Sequence, residues 1–397
     1  MKRKRVVFLM SDTGGGHRSA ANAIQTALEQ RYPGRYACQL VDVYRRYTPP
    51  PFRWMPELYP LWVRSGSWGP AYNLADAPYR AGAAMAVLKR LWAHGMRRLL
   101  DEHPADVLVC VHALFSRPVL HALAGRSGPQ PPLVTVVTDL VSTHAFWYAP
   151  GTARCLVPTQ AAYQRALRFG LEPHQLRLAG LPVHPSFGAI PQQAARRQLG
   201  WSPDQPVVLL SGGADGLGPV ERIARTLDAH RVNARLVILT GRNRALHHRL
   251  EATPWHVPVT VYPFARNVPV LMAAADVLVT KAGPQTIGEA CTAGLPMVLC
   301  EAVPGQEAGN VAFVVEGGAG IYAPQPDHAA ATVANWLADP PAAQARRAAR
   351  ARALGRPEAV WHVAEEIHGQ AHHPAQRERR VAPIPRWQPA PEDGWVI

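Results

Sequence analysis

Carboxylate, amide and hydroxyl side chains cluster between residues 285 and 310, and their types suit recognition of a sugar and a ribose. Glu289 follows a Lys-Ala-Gly-Pro-Gln-Thr turn at the start of a predicted helix, where its carboxylate could accept a hydrogen bond from a ribose diol. Unpaired N–H groups at the start of that helix, at Gln285 and Thr286, favour an anion such as a diphosphate. An ordinary α/β crossover with a polar loop would also give this pattern. The side chains that follow the next strand and could hydrogen-bond to sugar hydroxyls are Gln306, Glu307 and Asn310.

A strand–turn–helix–strand unit must position these residues. The apolar run 276–280 predicts a buried strand, residues 287–293 predict a helix, and residues 296–299 predict a second buried strand. In a parallel α/β sheet the carboxyl ends of the strands meet at one edge, where ligands bind. The turn residues expected to line that edge are Lys281, Gly283 and Pro284.

A glycine-rich turn also follows the predicted strand 207–210, and a helix pattern begins after it. Backbone N–H groups in such a turn can hold a diphosphate from the side opposite the Gly-Pro turn, which favours a nucleotide sugar over a dinucleotide cofactor. A further predicted strand, 236–241, ends at Arg242. The glycines expected to contact the diphosphate are Gly212, Gly213 and Gly218.

The N-terminal strand 5–10 leads into Ser-Asp-Thr-Gly-Gly-Gly-His, and a helix pattern follows. This order indicates a doubly wound sheet, but the loop has neither the GxGxxG spacing of dinucleotide-binding folds nor the Lys-Ser/Thr of a P-loop. His17 lies where the loop becomes a helix and could accept a proton near neutral pH, although a histidine there is more often a capping or solvated residue. Two later strands of this half end in polar residues, His112 and Asp139.

Length and charge distribution bound the possible functions. A chain of 397 residues with 48% hydrophobic residues is expected to form two domains. Residues 1–180 contain 22 Lys and Arg against 10 Asp and Glu, so most of the formal net charge of +14 lies in the N-terminal half. Nucleic acid or an anionic lipid surface could bind such a half. Since no nucleic-acid-binding module is recognisable, a lipid surface is favoured and no nucleic-acid partner is expected.

Cysteine usage and the apolar runs bear on cellular location. Five cysteines without a CxxC pair predict neither a disulfide framework nor a zinc site, which suits a reducing cytoplasm. The basic start MKRKR precedes an apolar run that is too short for a signal peptide. No apolar run approaches the roughly 18 residues of a membrane span. A cytoplasmic protein that binds peripherally to the cytoplasmic face of the membrane is therefore expected.

Three segments outside the predicted strands differ in character. Residues 45–79 combine tryptophans, tyrosines, prolines and arginines, and form either a membrane-interface segment or an irregular loop packed on the core. Residues 82–100 follow a helical apolar period and predict an amphipathic helix packed on the core. After residue 369 the proline-rich and charged composition predicts a disordered tail.

The stretches SDTGGGHRSAANAI and KAGPQTIGEA…GLPMVL…PGQEAGNVAFVVEGGAG contain these candidate residues in order. They closely resemble the motifs of monogalactosyldiacylglycerol synthases, the lipid-acting branch of glycosyltransferase family 28. The resemblance implies an α/β fold of two Rossmann-like domains facing each other across a cleft, the GT-B architecture. Residues 1–184 would form an acceptor-lipid and membrane-docking domain, residues 185–369 a UDP-sugar-binding domain, and residues 370–397 the tail.

The same resemblance implies roles for individual residues. His17 would be the catalytic base. The acceptor would contact Gly15, Gly16, His112, Asp139, His144 and Trp147. Phe264, Asn267 and Val268 would frame the uracil. The whole donor-binding set would be Gly212, Gly213, Gly218, Arg242, Phe264, Asn267, Val268, Lys281, Gly283, Pro284, Gln285, Thr286, Glu289, Gln306, Glu307 and Asn310.

Besides His184, which replaces an arginine in the connecting GLPxRPSF motif, three positions depart from the family pattern. The usual Gly-Pro-Gly turn has Gln285 at its third position, where glycine would permit a closer backbone approach. The prolines of the His-Pro and TDL…THPTWF motifs are replaced by Ala113 and Ala145. Two of the three departures therefore lie in the acceptor half.

The implied reaction is an inverting transfer of a hexose, with galactose favoured, from a UDP-sugar to the hydroxyl of 1,2-diacylglycerol. The implied membrane partner is an anionic lipid such as phosphatidylglycerol. No cofactor is implied, and no metal is expected because no DxD-type carboxylate pair ends a suitable strand. The alternatives are a processive UDP-glucose-dependent diacylglycerol glucosyltransferase, a GlcNAc transferase acting on the peptidoglycan lipid intermediate, a UDP-GlcNAc 2-epimerase of the same fold, and a lipid-binding module with an inactive donor site.

Overall fold

The protein, seen here in a computed structural model that describes residues 2–372, contains two parallel sheets. Strand β1 (Lys4–Met10) illustrates why these segments become strands. Its residues from Val6 to Met10 are buried, since helices cover both faces of a parallel sheet and a continuous apolar run suits that position.

The first sheet continues with β2 (Tyr36–Asp42), β3 (Val107–Cys110), β4 (Leu133–Val136), β5 (Arg154–Val157) and β6 (Leu176–Leu178). Its strand order is β2-β1-β3-β4-β5-β6. The helices of this part of the chain are α1 (Gly16–Arg31), α2 (Val43–Tyr47), α3 (Met55–Arg64), α4 (Trp68–Asp76), α5 (Pro78–Leu91), α6 (Ala93–Glu102), α7 (Ser116–Ala124) and α8 (Gln160–Arg168).

The second sheet contains β7 (Val207–Ser211), β8 (Arg235–Leu239), β9 (Val259–Tyr262), β10 (Val277–Lys281), β11 (Met297–Glu301) and β12 (Gly320–Tyr322). Its order is β12-β11-β10-β7-β8-β9. The helices of this part are α9 (Gln192–Gln198), α10 (Val220–Ala229), α11 (Arg244–Glu251), α12 (Val268–Ala274), α13 (Pro284–Ala293), α14 (Ala308–Glu316), α15 (Pro326–Ala338), α16 (Pro341–Leu354) and α17 (Ala359–His372).

The last helix, α17, returns to the first sheet. Its apolar residues Val360, Val363 and Ile367 share one buried cluster with Phe8 and Ile24. The expected division into residues 1–184 and 185–369 does not include this return. The expected tail begins too early, because residues 370–372 still belong to the helix and Ala371 is buried in the same cluster. Residues 373–397 lie outside the described residues.

The segment predicted as one helix over residues 82–100 is two helices, α5 and α6, which meet at Trp92. Trp92, Met85 and Met96 are buried as the apolar period predicts. Helix α6 lies against the backbone of Tyr47, where a Cβ on Gly95 would lie only 1.9 Å from the Tyr47 carbonyl oxygen. The glycine permits that approach.

Helices α3 and α4, which we call the cap, lie over the carboxyl ends of the strands and contact both halves of the protein. Tyr72 of α4 donates a hydrogen bond to the Ser142 carbonyl of the first half, while Trp68 donates to Gln306 of the second. The aromatic segment is therefore helical rather than irregular. Among residues 2–372, no helix is long and apolar enough to cross a bilayer.

Candidate active site

His17 lies in the first turn of α1, at the carboxyl edge of the first sheet. Its Nδ1 is 3.0 Å from Thr138 Oγ1, and Thr138 follows β4 at the same edge. The Thr138 hydroxyl donates in turn to the Val111 carbonyl, at 3.4 Å. Because that hydroxyl has one hydrogen, Oγ1 must accept from His17 Nδ1–H. The lone pair of the imidazole therefore lies on Nε2, where a base needs it.

The environment keeps His17 neutral. Burial lowers the pKa of His17 to about 4, and only the contacts with Val111 and Asp12 oppose that effect. The ring packs against His112, with 4.6 Å between centroids. Burial holds the pKa of His112 well below its usual range, and the neighbouring His17 lowers it further. At neutral pH both rings are therefore uncharged, and His17 is ready to accept a proton.

His112 and Asp139 follow β3 and β4, respectively, at the same edge of the sheet as His17. The Leu114 N–H donates to His112 Nδ1 at 3.2 Å, so His112 carries its proton on Nε2. Trp147 Nε1 donates to Asp139 Oδ2 at 2.6 Å. Burial raises the pKa of Asp139 to about 6, while hydrogen bonds from Trp147 and Gln306 lower it. The structure thus brings three of the predicted acceptor residues to the same edge as His17.

His144, a fourth predicted acceptor residue, uses both of its ring nitrogens within the protein. Its Nδ1 accepts from the Phe146 N–H, and its Nε2 lies 3.2 Å from the Tyr72 carbonyl oxygen of the cap. The neighbouring Ala145 N–H donates to Asp76 at the end of the cap, at 2.8 Å. A proline at position 145 has no N–H and could not make this bond. The departure from the family pattern therefore helps to hold the cap against the first half.

The two glycine-rich loops face each other across the cleft. We call residues 13–16 the first glycine loop and residues 212–218 the second glycine loop. A Cβ built on Gly15 would lie 2.7 Å from the Ala214 Cβ. Arg242 donates to the Gly14 carbonyl at 3.0 Å and pairs with Asp215 at 2.7 Å. Gly218 has a φ of +87°. Glycine is thus required here both for close approach and for backbone conformation.

The turn after β10 lies beside the second glycine loop, since a Cβ on Gly213 would lie 3.6 Å from Lys281 Cε. Lys281 forms an ion pair with Glu307, whose other carboxylate oxygen accepts from the Val303 N–H at 2.9 Å. Gly283, Pro284 and Thr286 surround the N-terminus of α13. Phe264, 58% exposed, follows β9 at the same edge, and Asn267 and Val268 begin α12.

Glu289 faces the first half of the protein. Its Oε1 accepts from Ser19 Oγ of α1 at 3.1 Å and from Gln285 Nε2 at 3.3 Å. Burial raises the pKa of Glu289 to about 7, although both hydrogen bonds lower it. Gln285 also donates to the Pro182 carbonyl in the segment between the two sheets, at 3.3 Å. Gln285 is therefore accommodated within α13 and fixed to that connecting segment.

The loop after β11 and the first turn of α14, residues 302–310, which we call the donor loop, contain the remaining predicted donor residues. Gln306 Oε1 accepts from Trp68 Nε1 of the cap at 3.1 Å. Asn310 donates to the Ala282 carbonyl at 2.9 Å and accepts from the Val141 N–H at 3.3 Å. Asn310 therefore joins the two halves.

Sequence reasoning missed Thr138, Ser19 and Trp68, each of which contacts a predicted site residue. Thr138 adjoins Asp139 in the Thr-Asp-Leu stretch and Ser19 lies in the first motif, but neither spacing shows which side chain each would meet. Trp68 lies in the aromatic segment 45–79, whose composition fits either a membrane interface or a loop packed on the core and does not single out this residue. Among the described residues, no group of three His, Cys, Asp or Glu side chains is placed to hold a metal ion.

Comparison with known proteins identifies the family. The model for monogalactosyldiacylglycerol (MGDG) synthase matches residues 17–183, and the model for the glycosyltransferase family 28 C-terminal domain matches residues 207–362. The chain is 36% identical over 383 residues to probable monogalactosyldiacylglycerol synthase 2, chloroplastic, of Oryza sativa subsp. japonica, covering 94% of this chain and 82% of that relative. This chain belongs to the monogalactosyldiacylglycerol synthase family. The resemblance predicted from its motifs is confirmed.

Other relatives of this family member agree. Monogalactosyldiacylglycerol synthase 3, chloroplastic, of Arabidopsis thaliana is 34% identical over 389 residues, covering 95% of this chain and 83% of that protein. The GT-B fold is confirmed by solved structures. They include MurG of Acinetobacter baumannii, with a TM-score of 0.54, 16% identity and coverage of 92% and 99% of the two chains. WaaG, a glycosyltransferase involved in lipopolysaccharide biosynthesis, has a TM-score of 0.55, 18% identity and coverage of 92% and 100%.

The comparisons correct the expected location. The relatives from rice, tobacco and Arabidopsis are all named as chloroplastic proteins. The expectation of a cytoplasmic protein is therefore wrong. It rested on cysteine usage and on the absence of a long apolar run, and neither property separates one reducing compartment from another.

Proposed function

We propose that this monogalactosyldiacylglycerol synthase family member transfers galactose from UDP-galactose to the free hydroxyl of diacylglycerol, with His17 as the general base. The observation that supports this role most directly is the contact between His17 Nδ1 and Thr138 Oγ1, at 3.0 Å. It leaves Nε2 free to accept a proton at the edge of the cleft where the two glycine loops meet.

The transfer is a single displacement with inversion. His17 Nε2 takes the proton of the diacylglycerol hydroxyl as its oxygen attacks the anomeric carbon of galactose. The bond between that carbon and the β-phosphate oxygen breaks on the opposite face, and UDP leaves with the electron pair. Negative charge then grows on the diphosphate, where N–H groups of the second glycine loop and of the α13 N-terminus stabilise it.

Lys281 supplies a positive charge between the two turns proposed to hold the diphosphate, so we propose a metal-independent reaction. The side chain passes between the two donor turns. Cβ atoms built on Gly213 and Gly283 would lie 3.6 Å from its Cε and 3.2 Å from its Nζ, respectively. Glu307 holds the ammonium in that position. Transfer should therefore persist in the presence of a chelator.

We further propose that helices α3 to α5 dock on a membrane that contains an anionic lipid such as phosphatidylglycerol. They carry most of the large apolar side chains that the described chain exposes. Leu61 is 60% exposed, Leu74 59% and Val87 63%. Basic residues lie on the same helices, among them Arg64, Arg80 and Arg90. An apolar surface with a basic surround suits the interface of an anionic bilayer.

The deciding experiment supplies purified protein with diacylglycerol in phosphatidylglycerol-containing vesicles. UDP-galactose and UDP-glucose are given separately, with and without EDTA, and the lipid products are analysed by mass and by anomeric NMR. A single β-galactosyl lipid, formed equally with EDTA, is the expected product. Glucosyl lipids carrying several sugars would support a processive glucosyltransferase, and free sugar without a lipid product would support an epimerase or hydrolase.

A further inference from the structure

The inner side of the cap lies directly on the donor loop. Besides the bond between Trp68 Nε1 and Gln306 Oε1, two glycines allow a close approach. A Cβ on Gly69 of the cap would lie 2.7 Å from the Pro304 Cβ, and a Cβ on Gly305 would lie 2.2 Å from Asn73 Oδ1. The cap and the donor loop are therefore packed against each other and not merely adjacent.

Aromatic neighbours fix the orientation of the Trp68 ring. Tyr59 and Trp62 pack edge-to-face against it, with centroid distances of 5.1 Å and 5.0 Å, and Tyr72 lies 6.1 Å away. Edge-to-face packing is a preferred geometry of aromatic pairs and stabilises them beyond the area that they bury. The indole N–H is consequently held in the direction of Gln306.

The bond from Trp68 determines which way the Gln306 amide faces. An indole N–H only donates, so Gln306 must present its oxygen to Trp68 and its NH₂ group to the other side. On that side lies the Asp139 carboxylate, whose pKa the Gln306 amide lowers and which accepts a hydrogen bond from Trp147. A line of polar side chains thus runs from the cap through the donor loop to the acceptor edge. The second N–H of the Gln306 amide is the group that a sugar hydroxyl would contact.

The outer side of the same two helices carries the exposed apolar side chains. Leu58, Leu61 and Leu74 are exposed on the cap, and Trp62 is 37% exposed while its ring packs on Trp68. The surface proposed to dock on the membrane and the contact that orients Gln306 therefore belong to the same short pair of helices.

From this arrangement we propose that Trp68 is a positioning residue for the donor sugar, acting through Gln306, and that docking of the cap on a bilayer strengthens sugar binding. The proposal rests on the proposed donor, UDP-galactose. Its mechanism is that a bilayer holds α3 and α4 in place from the outside. The indole N–H then keeps the Gln306 amide turned toward the galactosyl group.

The test compares the dissociation constants of UDP-galactose and UDP for the full chain, by calorimetry. Each is measured with and without phosphatidylcholine–phosphatidylglycerol vesicles that lack diacylglycerol. Trp68→Phe keeps an aromatic ring and removes the N–H. It should therefore raise the dissociation constant of UDP-galactose about fivefold, the effect of one neutral hydrogen bond, and leave the dissociation constant of UDP unchanged. Vesicles should tighten UDP-galactose binding by the wild-type chain and much less by the variant.

Trp54→Phe is the matched control, because Trp54 is 48% exposed in the turn before α3 and stacks with Arg53. It should behave like the wild type with soluble ligands. In a Gln306→Ala background, Trp68→Phe should have no further effect, because the group it positions is gone.

If Trp68→Phe weakens the binding of UDP and of UDP-galactose equally, the positioning role is overturned, since a general structural defect weakens the binding of both ligands. A wild-type affinity that vesicles do not change would overturn the coupling to the membrane. Both results remain distinct from failure of the proposed function, in which the wild-type protein transfers no galactose to diacylglycerol.

Discussion

At the scale of single residues, the proposed base, His17, is oriented by a hydroxyl and not by a carboxylate. His17 Nδ1 faces Thr138 Oγ1, which is itself bonded to the Val111 carbonyl. A carboxylate partner would raise the pKa of the imidazole, whereas a neutral hydroxyl fixes the tautomer and leaves the low pKa set by burial. A base with that pKa is fully deprotonated at neutral pH.

Replacing Thr138 tests this orientation. Thr138→Val keeps the shape of the side chain and removes the acceptor of the Nδ1 proton, so kcat should fall about tenfold, the cost of about one hydrogen bond in the transition state. Thr138→Ser should retain most of the activity, since Ser keeps the hydroxyl. His17→Ala sets the scale, with an expected loss of ~10²–10⁴-fold. A Thr138→Val enzyme with wild-type kcat would show that Thr138 is structural only.

A second prediction at this scale concerns pH. Burial raises the pKa of Glu289 to about 7, so the carboxylate is charged above that pH and protonated below it. A protonated carboxyl is the weaker acceptor for a ribose diol, so UDP should bind more weakly at pH 6 than at pH 8. Glu289→Gln removes the titrating group, and its UDP affinity should be weak and nearly independent of pH. Calorimetry at the two pH values distinguishes these cases, and a wild-type affinity that is constant would argue against the contact.

At the scale of elements, the sequence predicts the regular units well and the cap poorly. The runs of β10 and β11 and the helix between them follow the expected pattern because each is either continuously apolar or ended by glycine and proline. The cap has no comparable pattern. Its first helix contains Pro60 and its second starts beside a buried glycine, and both have apolar side chains facing two different partners. A helix whose apolar side chains face two different partners shows no single apolar stripe.

The contacts between site residues were predictable only in part, for a related reason. The sequence predicts that His17, His112 and Asp139 lie at one edge of the first sheet, because each follows a parallel strand and the carboxyl ends of parallel strands meet at one edge. The bonds between Ser19 and Glu289 and between Asn310 and Val141 join the two halves of the protein. Such contacts depend on how the two sheets face each other, and no local pattern of residues encodes that orientation.

The meeting of the two glycine loops gives a prediction at the scale of elements. Gly15→Ala would place a Cβ 2.7 Å from the Ala214 Cβ, so the loops must move apart by about 1 Å, and kcat/KM should fall at least about tenfold. Gly82→Ala in α5 is the matched control, because a Cβ there meets nothing within 4 Å. Both variants should retain a thermal midpoint near that of the wild type. A Gly15→Ala enzyme with normal kinetics would mean that the loops separate during the reaction.

At the scale of the whole molecule, the two halves are joined twice. The segment after β6 carries the chain into the second sheet, and α17 carries it back, where Arg154 and Arg177 of the first half pair with Glu366 of the helix. Ser19, Asn310 and the cap bridge the cleft between these two connections. The proposed docking surface is formed by the cap and α5, whereas the proposed donor and acceptor sites lie on the facing edges of the two sheets.

The proposed docking surface gives the last prediction. Leu61 is 60% exposed at the outer side of the cap, and moving such a side chain into a bilayer interface contributes about 1.5–3 kcal/mol. Leu61→Asp should therefore weaken vesicle binding at least about tenfold in a sedimentation assay, and UDP binding without vesicles should be unchanged. Val315→Asp is the matched control, since Val315 is 42% exposed on α14 of the second half. The wild-type chain should bind phosphatidylglycerol vesicles more tightly than phosphatidylcholine vesicles, and added salt should weaken that preference because it screens the basic side chains. Equal binding by Leu61→Asp and Val315→Asp would place the docking surface elsewhere, whereas a selective loss in Leu61→Asp would locate it on the cap.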